Sequence, residues 1–286
     1  MFKQRVLTAL VLAPIALAAV FYLPPLGFAA FVGLAFTVAA WEWAAFCGWQ
    51  SKAVRAGFAS VLALIYGFCT FALPASMLWP AQSNQLADIA LWLGVGWWLV
   101  AILLVLSFKS SRQSWERNAG IKALMGLLTL VPSFVAVLLV RFVNVEQAPF
   151  TGAWLIFGML GIVWAADIGG YVIGKPFGKR KLLPDVSPGK TLEGFLGGLG
   201  FVFLLVTAVA YSQGWPEQTA VWYGAALLLT ILSVFGDLTE SMFKRVAGIK
   251  DSGSIFPGHG GIMDRIDSLT ATAPLFALFV ATLGGV

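Results

Sequence analysis

The chain has 286 residues, 59% of them hydrophobic and 11% charged, with a formal net charge of +5. A mean hydropathy of +0.88 and a charged share roughly half that of soluble domains exclude an ordinary water-soluble fold. Successive apolar runs approach the ~20 residues that cross a bilayer as helix, so the expected class is an all-α, polytopic integral membrane protein.

Nine transmembrane helices are predicted, at about 6–23, 27–46, 56–74, 88–108, 122–141, 152–173, 192–211, 219–237 and 267–284. The first, preceded by Lys3 and Arg5, reads as an uncleaved span and not a signal peptide, because eight further apolar segments follow. Pro24-Pro25 breaks the chain between spans one and two, since proline cannot continue a helix interior. Cys47 and Cys69 fall in or beside apolar segments without metal-type spacing and read as buried thiols.

Charge fixes the orientation. Lys52, Arg55, Lys109, Arg112, Arg117, Lys122, Lys175, Lys179, Arg180, Lys181, Lys190, Lys244, Arg245, Lys250 and Arg265 share the side of the N-terminus if the spans alternate. Only Arg141 falls opposite. The positive-inside rule makes the shared side, and the N-terminus with it, cytoplasmic. Trp154, Trp215 and Trp222 near outer ends, and Trp41 and Trp43 near an inner end, read as interfacial anchors. Gly194 and Gly198 read as a close helix-packing pair. Residues 1–150, with about five helices, carry few intramembrane charges, Glu42 being the exception, and read as scaffold. Polar features gather in 151–286, read as a catalytic region of about four helices.

Four polar groups converge on the predicted cytoplasmic side. Asp167 lies inside span six, where a carboxylate is costly and needs protein or water around it. Ser187-Pro-Gly-Lys-Thr-Leu-Glu-Gly194 precedes span seven, and Ser187-Pro188 resembles an N-cap with proline at the first helical position. A helix start there, with Lys190 added, would suit phosphate; ordinary capping plus positive-inside charge explains the segment equally well. Nearby, Gly174-Lys-Pro-Phe-Gly-Lys-Arg180 is no nucleotide loop, having three residues between its glycines where four are required and Arg180 where Ser or Thr should hold magnesium. Lys179-Arg180-Lys181 reads instead as a contact for anionic lipid headgroups.

The third group, Asp237, Glu240, Ser241, Lys244 and Arg245, occupies one helical face. A solvated extension of span eight would produce the same pattern, but Asp237 sits against the membrane boundary. The fourth holds Lys250-Asp251, a glycine-rich link with Gly258, His259, Gly260 and Gly261, and then Asp264-Arg265-Ile-Asp267. Two acids at a helix start favour its dipole. Together with Asp237, Asp264 and Asp267 also offer three hard oxygen ligands for Mg²⁺, and the glycines would let backbone approach a polyphosphate. His259 is either structural or a donor or proton carrier beside phosphate. Carboxylates, cations and glycine loops together point to metal-assisted phosphoryl or nucleotidyl transfer, with a lipid or lipid phosphate as acceptor at the inner membrane face.

Ser241-x-Phe243-Lys244-Arg245, Lys250-Asp251, His259-Gly-Gly and Asp264-Arg-x-Asp267, together with the Asp167 segment and Ser187-Pro-x-Lys190-Thr191-x-Glu193-Gly194, resemble the phosphatidate cytidylyltransferase (CDP-diacylglycerol synthase) family. The resemblance covers the chain from about Trp164 onward; earlier spans agree only in type. It implies CTP and phosphatidate as substrates, CDP-diacylglycerol and pyrophosphate as products, and no nucleic acid. It also implies a multi-pass cell (inner) membrane protein with a cytoplasmic active site, and suggests a homodimer. Mg²⁺ on Asp237, Asp264 and Asp267 would act as Lewis acid and template, with a second cation such as K⁺ as a further candidate. Lys190, Lys244, Arg245 and Lys250 would neutralise phosphate, while Asp167 and Asp251 would orient a cation or basic partner. His259 and Arg265 complete the catalytic candidates. Ser187, Thr191, Glu193, Ser241, Gly260 and Gly261 are those for nucleotide or phosphate. A CTP-dependent lipid kinase is the alternative; an ion or lipid transporter would explain Asp167 and leave the glycine-rich island unexplained.

Overall fold

The computed structural model describes residues 2–76, 79–82, 84–214, 219–256 and 260–283, the side chains of 2–9, 219 and 283 excepted. The described residues form α1 (Phe2–Tyr22), α2 (Pro25–Phe46), α3 (Lys52–Ala72), α4 (Gln85–Leu106), α5 (Phe108–Trp115), α6 (Ala119–Phe142) and α7 (Thr151–Phe177). A short hairpin, β1 (Lys181–Leu183) and β2 (Ser187–Thr191), leads into α8 (Leu192–Gln213), α9 (Thr219–Ala247) and α10 (Met263–Leu283).

Seven of these helices, α2–α4 and α6–α9, are long and apolar enough to cross a bilayer, and the chain is a multi-pass α-helical membrane protein. Each of the nine predicted spans corresponds to a long helix, but length and composition alone do not carry all nine. Within α1 the described side chains cover only Leu10–Tyr22, and α10 is diluted by Asp264, Arg265, Asp267, Ser268, Thr270 and Thr272.

Local chemistry sets the boundaries. Pro25 occupies the first turn of α2, where a missing N–H costs nothing. Asn84 caps α4 by accepting from Leu86 N at 2.9 Å and Ala87 N at 3.2 Å, and Asn118 caps α6 through Ile121 N at 3.0 Å. With 29 residues, α9 is about 43 Å long, against a hydrocarbon core of ~30 Å. Its last turns therefore leave the apolar layer carrying Asp237 to Arg245.

The central helix is α6, buried along nearly all of its second half, with α2, α4, α7 and α10 against it. One apolar core runs from Val20 to Val280, drawing on both parts of the chain. Polar contacts lock it at fixed points: Trp98 Nε1 and Ser133 Oγ both donate to the carbonyl of Thr270, at 2.9 and 2.6 Å. Near the end of α6 Arg141 is buried and donates to the carbonyls of Val20 at 2.6 Å and Leu23 at 3.4 Å. Cys47 and Cys69 are free and buried, as expected.

Peripheral to this core, α7 and α8 run antiparallel with small residues at the seam. A Cβ on Gly198 would meet the Ala166 carbonyl oxygen at 2.6 Å, and one on Gly194 the Gly170 carbonyl oxygen at 3.0 Å. The expected Gly194–Gly198 packing pair thus brings two backbones together.

Two expectations change. Trp43 is no interfacial anchor: it is 1% exposed, packs edge-on and tilted against Phe46 and Phe243 in an aromatic cluster, and donates from Nε1 to the Lys122 carbonyl at 2.8 Å. Trp41 instead carries the Arg55 guanidinium 4.5 Å over its ring, Trp154 is exposed, and Trp215 lies outside the described residues. Ser187-Pro188 does not start a helix. It belongs to β2, paired antiparallel with β1 in a register joining Lys181 to Thr191 and Leu183 to Ser187. Proline lacks an N–H for a ladder, and a two-stranded hairpin has only edges. Capping passes to Thr191, whose Oγ1 accepts from Gly194 N at 3.1 Å.

Candidate active site

A cavity of about 600 Å³ opens between α7, β2, the start of α8 and α9. From α7 come Asp167, Gly170 and Gly174; the facing wall has Lys190, Thr191, Gly194 and Asp237. The fold explains the gathering: the glycine seam lets α8 approach α7, the hairpin hangs over their junction, and the protruding end of α9 closes the opposite side.

Lys190 reaches from β2 to α9, with its ammonium 2.8 Å from Asp237 Oδ2 and 3.4 Å from the Val234 carbonyl oxygen. Asp237 accepts on its other oxygen from Ser241 Oγ at 3.2 Å, one helical turn on. Both charged groups stay partly open, at 25% and 37% side-chain exposure. Asp167 is within electrostatic reach of Lys190, Asp237 and Arg265. Asp267, on α10, is within reach of Asp237, Lys190 and Lys244, and its carboxylate accepts one hydrogen bond among the described residues, from Ser268 N at 2.7 Å.

A second cluster lies beside this one and is closed. Lys244 Nζ donates to Glu240 Oε2 at 2.9 Å and to Asp264 Oδ1 at 2.7 Å. Asp264 Oδ2 accepts from Ser252 N at 2.9 Å, Ser252 Oγ at 2.8 Å and Gly261 N at 2.8 Å. Glu42 completes it from α2, accepting from Ser252 Oγ at 3.0 Å, Ile262 N at 3.1 Å and Met263 N at 2.8 Å. Glu240 is 1% exposed, and its Oε1 has no partner among the described residues.

The remaining candidates divide by position. Glu193 does not line the cavity; it clasps the loop after α7, accepting from Lys179 N at 3.0 Å, Arg180 N at 3.1 Å and Arg180 Nε at 3.1 Å. Arg245 donates to the Val186 carbonyl at 3.3 Å and so ties α9 to the hairpin turn. Leu192 N is bonded to the Arg180 carbonyl at 2.8 Å and Gly194 N to Thr191 Oγ1 at 3.1 Å, so these two amides at the start of α8 are engaged. Ser187 is half-buried in β2, and Arg265, Lys250 and Asp251 are exposed. Gly260 adopts φ +77 and pairs with Phe256 in an isolated bridge. His259 lies outside the described residues.

The three acids expected around Mg²⁺ do not form one set. Among the described residues no group of three or more His, Cys, Asp or Glu is placed to hold a metal ion, and both oxygens of Asp264 are already engaged. Asp237 and Asp267 remain as two carboxylates within range of each other. Mg²⁺ commonly takes one or two carboxylates and completes its octahedron with phosphate oxygens and water, so that pair fits the ion's chemistry.

Sequence reasoning passed over three elements: the hairpin, the capping role of Thr191, and Glu42. For Glu42 a signal existed, because an ionisable residue inside a membrane helix is a site candidate by default.

Relatives point the same way as this geometry. The model of the cytidylyltransferase family matches residues 3–283. A Pseudomonas aeruginosa protein named phosphatidate cytidylyltransferase is 43% identical over 289 residues, covering 99% of this chain and 98% of its own length. A Haemophilus influenzae protein of the same name is 38% identical over 287 residues, with 98% of each covered. A third, from Bacillus subtilis, is 38% identical over 187 residues, 64% of this chain and 66% of that protein. The similarity thus includes the N-terminal helices as well as the polar segments, and the chain belongs to the cytidylyltransferase family.

Proposed function

We propose that this protein transfers the cytidylyl group of CTP to phosphatidate, giving CDP-diacylglycerol and pyrophosphate, at the cytoplasmic face of the inner membrane. The observation that carries this reading is the half-open Lys190–Asp237 pair in a cavity walled by membrane helices. Family membership and the relatives' names support it. Ile168, Tyr171 and Leu196, beside the cavity on α7 and α8, have exposed side chains, which suits a lipid arriving from the bilayer.

A phosphatidate oxygen attacks the α-phosphorus of CTP. The new P–O bond forms as the bond from that phosphorus to the bridging oxygen breaks, and the electron pair leaves on pyrophosphate. The attacking oxygen is already anionic, so no proton needs to be removed. The difficulty is bringing two anions together and stabilising the leaving group. Lys190 supplies positive charge inside the cavity, and Asp237 aims it by the 2.8 Å contact. Lys175, on the same wall and donating to Tyr171 Oη at 2.8 Å, is a second cation for the lipid phosphate. Asp167 and Arg265 stand at the edge of the same electrostatic group. Asp237 and Asp267 would hold Mg²⁺, which supplies charge neutralisation to the phosphates when bound.

The test supplies the purified full-length chain with phosphatidate, Mg²⁺ and CTP labelled at the α or the γ phosphate. α-Label in the lipid is expected, lost on chelation and restored by Mg²⁺. γ-Label in the lipid would establish a kinase and overturn the reading.

A further inference from the structure

Glu42 stands apart from every residue used so far. It lies on α2, in the region expected to be scaffold, yet its side chain is 1% exposed and directed at a segment more than 200 positions away. Among the described residues no Lys or Arg pairs with it; its hydrogen bonds all come from the loop before α10 and the first residue of that helix. A buried carboxylate is costly unless its oxygens are satisfied, and here the satisfaction comes entirely from that segment.

Three features show what the carboxylate does there. First, α10 has no capping side chain of its own, because Gly260, Gly261 and Ile262 precede Met263. Glu42 accepts from Ile262 N and Met263 N, which caps the helix from outside and places negative charge at the positive end of its dipole. Second, the segment wraps the carboxylate closely: a Cβ at either Gly253 or Gly261 would collide with it. Third, the Ser252 hydroxyl lies between Glu42 Oε2 at 3.0 Å and Asp264 Oδ2 at 2.8 Å. That hydroxyl has one proton for two acceptors, so the carboxylates are coupled through it. Asp264 in turn holds Lys244.

We infer that Glu42 is a positioning residue of the active site: it clamps Ser252 and the first turn of α10, and through them sets Asp264, Lys244 and the direction in which Asp267 enters the cavity group. The inference rests on the cytidylyl transfer proposed above. It makes the N-terminal helices a working part of the site, because the reactive end of α10 is held by α2.

The test uses the full-length chain in detergent with phosphatidate. For Glu42→Gln, kcat for α-label transfer is expected to fall at least tenfold, while KM for phosphatidate, whose proposed wall on α7 and α8 is untouched, stays within twofold. Backbone amide exchange at 261–263 should accelerate at least tenfold, with exchange in α7 and α8 unchanged. Ser252→Ala should lower kcat as well, and the double variant should lose less than the product of the two single losses. Parental kcat in Glu42→Gln, or unchanged exchange at 261–263, overturns the inference. Should Glu42→Gln fail to fold, Ser252→Ala decides alone, and a kcat within twofold of the parent overturns it. The underlying reading fails separately: a parent that leaves the lipid unlabelled, with the exchange pattern as expected, removes cytidylyl transfer and leaves the clamp standing.

Discussion

Two clusters of charge share one end of this molecule and differ in how far they are satisfied. Around the cavity, Lys190 and Asp237 pair at 2.8 Å with their side chains 25% and 37% exposed, and Asp167 lines the open space beside them. In the clamp, Asp264 accepts from Lys244 Nζ, Ser252 N and Gly261 N, Glu42 accepts from Ile262 N and Met263 N, and the two share the single proton of the Ser252 hydroxyl. A carboxylate whose lone pairs are filled by backbone amides has little left for a ligand, whereas a partly exposed pair can exchange its partner for phosphate. Under the proposed function, ligand work falls to the first cluster and geometry to the second, although sequence spacing makes Asp237 and Asp264 look alike.

The largest expected effect is on the cavity side. Asp237→Asn leaves Lys190 without its charged partner and removes one of the two carboxylates suited to Mg²⁺. Turnover in the α-label assay should fall by ~100-fold or more, the scale associated with deleting one preorganised electrostatic group. The melting temperature in detergent should stay close to the parent's, because the site is open to water. A large loss of melting temperature with residual activity would place Asp237 in the structural group.

Asp264→Asn tests the other half. Breaking a buried charge pair outright costs ~3–5 kcal/mol; here Lys244, at 16% side-chain exposure beside an Asp264 at 6%, keeps Glu240 at 2.9 Å, so only part of that cost applies. Stability should therefore fall along with activity. Loss of turnover with an unshifted melting curve would return Asp264 to the ligand-binding set.

Long apolar runs announce the spans, since twenty or so residues without charge have few other uses. The face of α9 bearing Asp237, Ser241 and Lys244 is legible too, because helical spacing is local. The partner of Glu42 is not, for nothing near Trp41 or Trp43 indicates that the amides of Ile262 and Met263 will arrive there. Ser187-Pro188 fails differently. Serine then proline is a sound helix start by local rules, and only pairing of Lys181 with Thr191 across the turn shows that the chain is extended there. Trp43 is misplaced for the same reason: its burial depends on Phe243, two hundred residues on.

A smaller effect concerns the seam that shapes the cavity. Gly198→Val would force a side chain into the Ala166 backbone, with the new Cβ only 2.6 Å from that residue's carbonyl oxygen. Overpacking of this kind costs ~1–3 kcal/mol, read as a lowered melting temperature. The wall carrying Asp167 should shift with it, raising KM for phosphatidate more than it lowers kcat. A change confined to kcat would show that the seam supports the reacting groups and not the lipid wall.

The smallest expected effect lies on the exposed side of the hairpin. Lys109, at the start of α5, sits 3.1 Å from Asp185 in the hairpin turn, with 79% and 48% of these side chains exposed. Exposed pairs contribute ~0–1 kcal/mol and are screened by salt. The neighbouring Val186 is 1% exposed, and its carbonyl accepts from Arg245, so packing and α9 hold the turn without the ion pair. Lys109→Ala should accordingly leave both melting temperature and α-label transfer within error of the parent, at low and at high salt. A salt-sensitive loss of activity in the parent that disappears in Lys109→Ala would mean that the hairpin, and Lys190 with it, is steered from the surface. The division between open and closed clusters would then have to include a third, solvent-tuned element.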